Sequence, residues 1–336
     1  MPVVSVLQES PMQVVNICGF SVHVKRDDLL NDYFSGNKAR KFAYLLDLNS
    51  ALNTGNDFSQ LKKIVSYGSI QGNSLYSLAA LAQLKNWQLD YYVTRIPNWL
   101  KDSSTGGYLA KQLGNYGGAL KLGANIIEVS DDEITQHGNN LDDCMGVKAQ
   151  HLSVDTLFIP EGGRSTLAEY GIEQLAKEIN SYCQQLSVGT ETKQAMIMLP
   201  AGTGTTALFL QKWFKQQNLP HQVLTCACVG GDDYLKKQFQ QLNSDSAQWP
   251  TILTPSKRYH FGKLYPEFYQ LWQQLIDETT IEFDLLYDPL GWQVLLEFLR
   301  NTPPQDTQKT VLIYVHQGGV VGNQTMLPRY QRKYLT

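Results

Sequence analysis

Short apolar runs alternate with amphipathic segments along most of this 336-residue chain. From about residue 60 onward, most of the apolar runs end in a glycine-containing turn, and a segment with apolar residues at helical spacing follows. We predict buried strands near residues 63–66, 89–94, 125–129, 157–160, 195–199, 222–229 and 311–315. Continuous apolar strands that alternate with helices are typical of parallel sheets covered on both faces. The sequence therefore predicts an α/β fold.

Three further segments refine this prediction. Residues 13–24 are expected to form two short strands joined by a turn at Gly19. The segments 167–184 and 268–276 have the apolar spacing of amphipathic helices. Residues 130–155 are polar, and we expect them to be irregular, with a boundary between two lobes near their end.

Composition excludes several classes of function. The net charge of -3 offers no basic surface for nucleic acid, and no lysine-rich run indicates a membrane surface. No apolar run approaches the length of a spanning helix, and no signal peptide is predicted. The five cysteines show neither metal-ligand spacing nor a disulfide framework, so we expect reduced thiols in a cytoplasmic protein.

A lysine opens one helix-patterned segment, which starts in the stretch from Ser35 to Lys41 and is closed by Asn49. Burial or neighbouring cations disfavour the charged form of a lysine and so activate its amine. Because Arg40 and Lys41 stand beside it, Lys38 is a candidate nucleophile that could form a Schiff base. The alternative is a solvated basic first turn.

Two strand-to-helix turns are candidates for binding anions. Gly202-Thr203-Gly204-Thr205-Thr206 combines flexible glycines, hydroxyl donors and a helix N-terminus, which together suit one phosphate group. It lacks the lysine of a Walker loop and the third glycine of a dinucleotide fingerprint. The alternatives are a plain turn capped by threonine or a nucleotide-binding module.

The second turn is Gln71-Gly72-Asn73-Ser74, whose amides could bind a carboxylate. The Asn73 amide could hydrogen-bond a phenolate-type oxygen, although an ordinary Asn or Ser cap is equally compatible. By contrast, we interpret His316 as a core histidine, and the pairs at 131–132 and 142–143 as solvated loop acids. A turn lysine, a phosphate-sized nest and this asparagine together predict a pyridoxal 5'-phosphate site, with no metal.

Six motifs in order give the chain a resemblance to a known family. They are Lys-Arg-Asp-Asp-Leu at 25–29, Ser-Gly-Asn-Lys-x-Arg-Lys at 35–41, Gly-x-x-Gln-x-Asn at 68–73, Ile-Pro-x-Gly-Gly at 159–163, Gly-Thr-Gly-Thr-Thr at 202–206 and His-x-Gly-Gly at 316–319. This set resembles the 1-aminocyclopropane-1-carboxylate deaminase / D-cysteine desulfhydrase family, within the fold type II (tryptophan-synthase-β-like) pyridoxal phosphate enzymes. The resemblance covers most of the chain.

The resemblance implies roles for individual residues. Lys38 would be the Schiff-base lysine, Asn73 would lie beside the 3-oxygen of the cofactor, and 202–206 would hold its phosphate. Gln317, where the family often has threonine, would contact the cofactor, while the substrate side would include Gly72, Ser74 and Phe261. The resemblance also implies a large cofactor lobe from residues 1–44 and 157–336, a smaller inserted lobe from 45–156, and a homodimer.

The departures from the family pattern concern catalysis. Gly72 replaces a serine that meets the substrate carboxylate, and Phe261 replaces a tyrosine. In the Asp-Pro-Val-Tyr element, Gly291 replaces the second tyrosine, and the next residue, which in the family can face the pyridine nitrogen, is Trp292. Trp292 cannot accept a hydrogen bond. Two nearby phenols could replace those lost, Tyr259 or Tyr287.

We therefore expect a pyridoxal-phosphate lyase or deaminase acting on a small amino acid, with a D-cysteine desulfhydrase-like α,β-elimination that gives ammonia and a 2-keto acid. Lys38 would hold the cofactor and then remove the α-proton. One alternative is a carrier or regulator that binds pyridoxal phosphate without turnover. A true 1-aminocyclopropane-1-carboxylate deaminase is the other, which the missing phenols disfavour.

Overall fold

The computed structural model describes residues 7–46, 58–98, 113–138, 140–187, 193–301 and 310–334. Within these ranges the strands are β1 (Met12–Ile17), β2 (Phe20–Arg26), β3 (Lys63–Tyr67), β4 (Gln88–Val93), β5 (Asn125–Glu128), β6 (Thr156–Ile159), β7 (Gln194–Ala201), β8 (Gln222–Ala227), β9 (Thr251–Ile252) and β10 (Thr310–His316). The α-helices are α1 (Gly36–Phe42), α2 (Asn73–Lys85), α3 (Gly114–Lys121), α4 (Asp131–His137), α5 (Leu141–Ala149), α6 (Glu169–Gln185), α7 (Thr205–Gln216), α8 (Gly231–Leu242), α9 (Pro266–Thr279), α10 (Asp288–Asn301) and α11 (Asn323–Tyr334). None of these helices is long and apolar enough to cross a membrane.

The strands form two separate sheets, as the α/β pattern predicts. The larger sheet has the order β1-β2-β10-β7-β8-β9, and the smaller one has the order β5-β4-β3-β6. Only β1 and β2 pair antiparallel, across the predicted turn at Gly19, where Cys18 and Gly19 both have positive φ. All other neighbouring strands are parallel.

Strand β10, one of the two central strands of the larger sheet, shows why its sequence is mainly apolar. Ile313 and Val315 of β10 pack into the core beneath α6 and α7. Tyr314, on the opposite face, stacks on Trp292 of α10 with ring centroids 4.0 Å apart. Since successive side chains point to opposite faces, a strand covered on both sides buries residues of both faces.

The prediction of an irregular segment at 130–155 is wrong, because this segment forms α4 and α5. The side chain of Ser130 caps α4 by accepting a hydrogen bond from Glu133 N, and Asn140 caps α5 in the same way through Asp143 N. Ser and Asn are common N-cap residues, but in a segment that is polar throughout they are also typical of loops.

Two other predictions need correction or lie outside the described residues. β6 pairs with β3, so the predicted lobe boundary at 157 falls inside a strand of the smaller sheet. Asp142 is not a solvated loop acid, because it lies in the first turn of α5 and forms an ion pair with Arg164. The predicted helix end at Asn49 lies outside the described residues.

Buried ion pairs fix α1 against the larger sheet. The Arg40 guanidinium, which is inaccessible to solvent, lies 2.8 Å from Asp27 Oδ1 and 2.6 Å from Glu178 Oε1. Lys25 of β2 lies 2.6 Å from the other oxygen of Glu178. Helix α6 approaches closely, since a Cβ at Gly171 would lie 2.0 Å from the Arg40 carbonyl oxygen. The position of α1 is therefore set by charge pairing and by one glycine contact.

We expect Arg40→Ala to lower the free energy of unfolding by about 3–5 kcal/mol, because Asp27 and Glu178 would lose their buried partner. The measurement is urea denaturation. As a control, Lys177→Ala removes a surface pair with Glu173, in which Lys177 is 60% exposed, and should change stability by about 0.5 kcal/mol or less. Equal effects of the two substitutions would contradict this account of α1.

Candidate active site

A cavity of ≈ 370 Å³ opens at the carboxyl ends of strands from both sheets. Its walls come from the turns that follow β3, β6, β7 and β10, and from α1. In parallel sheets the turns beyond the carboxyl ends are the usual place for a ligand, because helix N-termini and irregular backbone converge there. The described residues contain no cluster of His, Cys, Asp and Glu suited to a metal ion.

The cavity brings together every residue that the sequence analysis assigned to a site. Its lining includes Lys38, Gly72, Asn73, Ser74, Gly202, Thr203, Gly204, Thr205, Thr206, Phe261 and Gln317. These residues span nearly 280 positions of the sequence, so their convergence is a property of the fold. The individual roles assigned to them stay predictions.

Lys38 extends into the cavity from the first turn of α1. Its Nζ makes no hydrogen bond within the part of the chain that the structure describes. Burial lowers the pKa of Lys38 to about 8, and Glu161 acts in the opposite direction. Of the two causes that the sequence suggests, burial is therefore the main one, whereas the guanidinium of Arg40 is held by Asp27 and Glu178.

Lys41 also lines the cavity, on the same side of α1 as Lys38. Its Nζ donates a hydrogen bond to the Gly162 carbonyl oxygen at 3.0 Å and lies 3.4 Å from Thr203 Oγ1. Burial, and then the charge of Lys38, hold the pKa of Lys41 well below its usual value. A cation held in this way would be stabilised by an anion at the glycine–threonine turn.

The glycine–threonine turn begins α7. Gly204 occupies the N-cap position with φ of +71°, and a Cβ there would lie 2.4 Å from Leu235 Cδ1, so both conformation and packing require glycine. The hydroxyls of Thr203 and Thr205 are 3.1 Å apart. Thr206 Oγ1 is buried and has no hydrogen-bond partner among the described residues. Such an orphaned donor indicates a missing acceptor.

These groups fit the phosphate of pyridoxal 5'-phosphate. The unpaired Thr206 hydroxyl, the free amides of the first turn of α7 and the Lys41 ammonium supply donors in one place. Lys38 lies in the same cavity with a free amine. A phosphate would therefore satisfy groups that the protein alone leaves without partners.

Asn73 lies at the start of α2 with part of its amide free. Its Oδ1 accepts a hydrogen bond from Asn115 Nδ2 at 2.8 Å, whereas its Nδ2, which lies near Gly319, has no hydrogen-bond partner among the described residues. Gly72, rather than Asn73, is the N-cap residue, and no side chain caps the helix. The alternative of an ordinary Asn or Ser cap is therefore excluded.

Gln317 lines the cavity, but its polar atoms are engaged. Its Nε2 donates to the Pro200 carbonyl oxygen at 2.6 Å, and its Oε1 accepts from Asn37 Nδ2 at 3.0 Å. Its amide therefore ties α1 to the end of β7. His316, as predicted, is a buried core residue whose ring nitrogens bond to Glu282 O and Gly318 N.

The structure distinguishes between the two candidate replacement tyrosines. Tyr287 lines the cavity, with a ring atom 3.5 Å from the position of a Cβ at Gly202, and it contacts the ring of Phe261 at 5.0 Å. Tyr259 lies outside the cavity lining and is hydrogen-bonded by Gln293. Of these two candidates, Tyr287 is thus the one that a ligand in the cavity could contact.

The family positions that lost their polar groups, Gly291 and Trp292, do not line the cavity. A Cβ at Gly291 would lie 2.7 Å from the Tyr314 hydroxyl, so this position has no room for a phenol. Trp292 is completely buried, and its Nε1 has no hydrogen-bond partner among the described residues. Neither position can supply the catalytic contact that the family has there.

Sequence reasoning missed two acidic groups in the cavity. Asp284 is 2% exposed, and its Oδ1 accepts from the amides of Leu286 and Tyr287, whereas its Oδ2 has no partner among the described residues. Burial raises the pKa of Asp284 to about 7. Glu161 follows β6 inside the Ile-Pro-x-Gly-Gly motif, so its place at a strand end was the available signal.

Comparisons with known proteins extend these observations. No family model matches the chain. A Thermotoga maritima protein provisionally named as a 1-aminocyclopropane-1-carboxylate deaminase is 24% identical over 320 residues, which is 90% of each chain. A bifunctional D-cysteine desulfhydrase/1-aminocyclopropane-1-carboxylate deaminase of Arabidopsis thaliana is 26% identical over 190 residues, covering 56% of this chain and 43% of that protein.

Solved structures are similar over nearly the whole chain. An ACC deaminase homologue gives a TM-score of 0.73 at 20% identity, with 98% of this chain and 95% of that chain covered. A hydrogen sulfide-producing enzyme of Fusobacterium nucleatum gives 0.62 at 12% identity, with 94% and 97% covered. The fold is that of the fold type II, tryptophan-synthase-β-like enzymes.

Within that class the sequence comparisons agree with the ordered motifs. The chain is thus similar in sequence to proteins named as 1-aminocyclopropane-1-carboxylate deaminases and D-cysteine desulfhydrases, in agreement with the resemblance that the motifs indicate.

We expect Thr206→Val to leave the stability of the cofactor-free protein unchanged or to raise it, because it removes a buried hydroxyl that has no partner. The matched control Thr205→Val removes the contact with Thr203 and should lower the free energy of unfolding by about 1 kcal/mol. Urea denaturation measures both. Calorimetry should also find weaker binding of inorganic phosphate to Thr206→Val than to the unsubstituted protein. A loss of stability as large as that of Thr205→Val would contradict the assignment of Thr206 as a free donor.

Proposed function

We propose that this chain is a pyridoxal-phosphate-dependent lyase or deaminase of a small amino acid, which releases ammonia and a 2-keto acid by α,β-elimination. The observation that carries the proposal is a lysine with a free amine in the same cavity as an orphaned threonine hydroxyl at a helix N-terminus. The names of the similar proteins, which include deaminases and a desulfhydrase, support the same class of reaction.

Four parts of the cavity would hold the cofactor. Lys38 would bond to its aldehyde carbon, while the 202–206 turn and Lys41 would bind its phosphate. The free Nδ2 of Asn73 would donate to its 3-oxygen. When bound, pyridoxal phosphate supplies the electron sink that makes the α-proton of an amino acid acidic.

The chain's own residues would then move the proton and hold the substrate. With a pKa of about 8, the Lys38 amine is a base matched to neutral pH once it is free. The amides of the turn at 71–74 would bind the substrate carboxylate, beside Ser74. Phe261 and Tyr287 would close the cavity on the substrate side, where their rings are in contact.

Two observations disfavour opening of the cyclopropane acid. Gly72 carries no hydroxyl, and the crowding of Gly291 against the Tyr314 hydroxyl leaves no space for a phenol at that position. Elimination from a β-substituted amino acid needs neither group, because the base that removes the α-proton is Lys38 itself.

We expect Lys38→Ala to lose the visible absorbance that purified protein loaded with pyridoxal phosphate should show, because the other amine of the cavity, Lys41, is held at the glycine–threonine turn by the Gly162 carbonyl and Thr203. The control Lys41→Ala should still show this absorbance at a saturating concentration of cofactor. Its affinity for the cofactor should be weaker, since it loses one contact to the phosphate. Unchanged absorbance in Lys38→Ala would contradict the proposal.

A screen of D- and L-amino acids for release of keto acid tests turnover. We expect at least one small β-substituted amino acid to give ammonia and a 2-keto acid well above the rate with free cofactor. Cofactor binding without any release would instead favour a carrier or regulator.

A further inference from the structure

Glu161 is an unused carboxyl group at the wall of the cavity. It follows Pro160 at the end of β6, and it lines both the cavity of ≈ 370 Å³ and a second one of ≈ 580 Å³. Among the described residues its carboxyl group has no hydrogen-bond or ion-pair partner, although its backbone carbonyl accepts a hydrogen bond from Arg164 N. A carboxyl group without a partner in the wall of a cavity is available to a ligand.

The local geometry keeps space free around this carboxyl group. A Cβ at Gly68 would lie 2.9 Å from Glu161 Oε1 and 2.8 Å from the Tyr91 hydroxyl. The Glu161 carboxylate oxygen and the Tyr91 hydroxyl therefore border the same small space, which stays open because Gly68 has no side chain. Gly68 has φ of +142°, a conformation that other residues rarely adopt, so the opening is built into the backbone.

The charges that face Glu161 come from three elements. Arg164 lies on the same turn and is occupied by Asp142 of α5, at 2.9 and 3.0 Å. Lys38 comes from α1. Its charge lowers the pKa of Glu161, and the charge of Glu161 in turn raises the pKa of Lys38. Of the two cations that lower the pKa of Glu161, Arg164 and Lys38, Lys38 is therefore the one whose charge is not already paired within the described ranges. Burial, and then Asp142, raise the pKa of Glu161, so its neutral form is favoured more than usual.

An α,β-elimination removes a proton from the α-carbon and also needs a proton donor for the substituent that leaves the β-carbon. Lys38 would receive the proton from the α-carbon, so it cannot at the same moment give one to the departing group. Hydroxide is a poor leaving group unless it is protonated, thiolate is a better one that protonation still helps, and chloride departs without a proton. A site that accepts hydroxyl or thiol substituents therefore needs an acid near its base.

We propose that Glu161 is the general acid that protonates the departing β-substituent. This inference rests on the proposed lyase function. As the Lys38 amine takes the α-proton, the electron pair of that bond forms the second Cα–Cβ bond. The Cβ–X bond breaks with its pair going to X, and the Glu161 proton converts X to HX. Water then releases the 2-keto acid and ammonia.

Other acids in the cavity are less suited to this role. Burial raises the pKa values of Tyr91 and Tyr287 above that of an ordinary phenol, so both are much weaker acids than a carboxyl group. Asp284 and Asp288 also line the cavity, but each accepts hydrogen bonds from protein groups: Asp284 from the amides of Leu286 and Tyr287, and Asp288 from the Asp284 amide and the Tyr314 hydroxyl. Glu161 is therefore the carboxyl group of the cavity that no protein donor among the described residues occupies.

The test compares leaving groups in Glu161→Gln. With serine, kcat should fall by about 10²-fold or more, since general acid catalysis has that size. Cysteine should show a smaller loss, and 3-chloroalanine should be turned over at a rate close to that of the unsubstituted enzyme. The enantiomer is the one that the unsubstituted enzyme uses. An equal loss with all three would overturn the assignment, whereas no keto acid from any of them with the unsubstituted enzyme would contradict the proposed function.

A second measurement uses the cofactor-free protein and needs no activity. The pH midpoint for labelling Lys38 with an amine-selective reagent, resolved by mass spectrometry, should move down in Glu161→Gln, because the carboxylate raises the pKa of Lys38. The control Glu169→Gln, which changes a surface partner of Lys212, should leave the midpoint unchanged. An unchanged midpoint in Glu161→Gln would also overturn the proposal.

Discussion

The buried guanidinium of Arg40 is the constraint on which the site depends. It holds α1 through Asp27 on one side and Glu178 on the other, so a helix of only seven residues keeps a fixed position and rotation. A short helix has little stability of its own, and tertiary contacts must supply it. Because Lys38 and Lys41 project from this helix, the ion pairs also determine where two cations enter the cavity.

The fold and the main site residues were predictable because their signals are local. Strand, glycine turn and helix follow one another in the sequence. Gly204 indicates a turn, because glycine is the residue that most readily adopts the positive φ observed there. The helices at 131–149 were missed although Ser130 and Asn140 were readable caps. In that segment the two capping residues indicate helices, whereas the polar composition alone indicates a loop.

Other features depend on direction and burial, which the motif alone does not give. Each helical residue rotates by about 100°, so Arg40 points away from Lys38, whereas Lys41 returns to the same side. The rotation of each residue follows from helix geometry. The ion-pair partners of Arg40, however, are Asp27 and Glu178, which the motif does not identify because they lie outside it in the sequence. The acidity of Asp284 and the accessibility of Glu161 likewise arise only after the two sheets are assembled.

The place of β10 between β2 and β7 has a consequence for how the molecule forms. Residues 310–316 fill the gap between the strand that precedes Lys38 and the strand that precedes the glycine–threonine turn. Until they insert, these two strands lack a common neighbour, and their edges are open to mispairing. Pairings so distant in sequence make assembly slow, and during synthesis a ribosome-bound chain has no complete pocket.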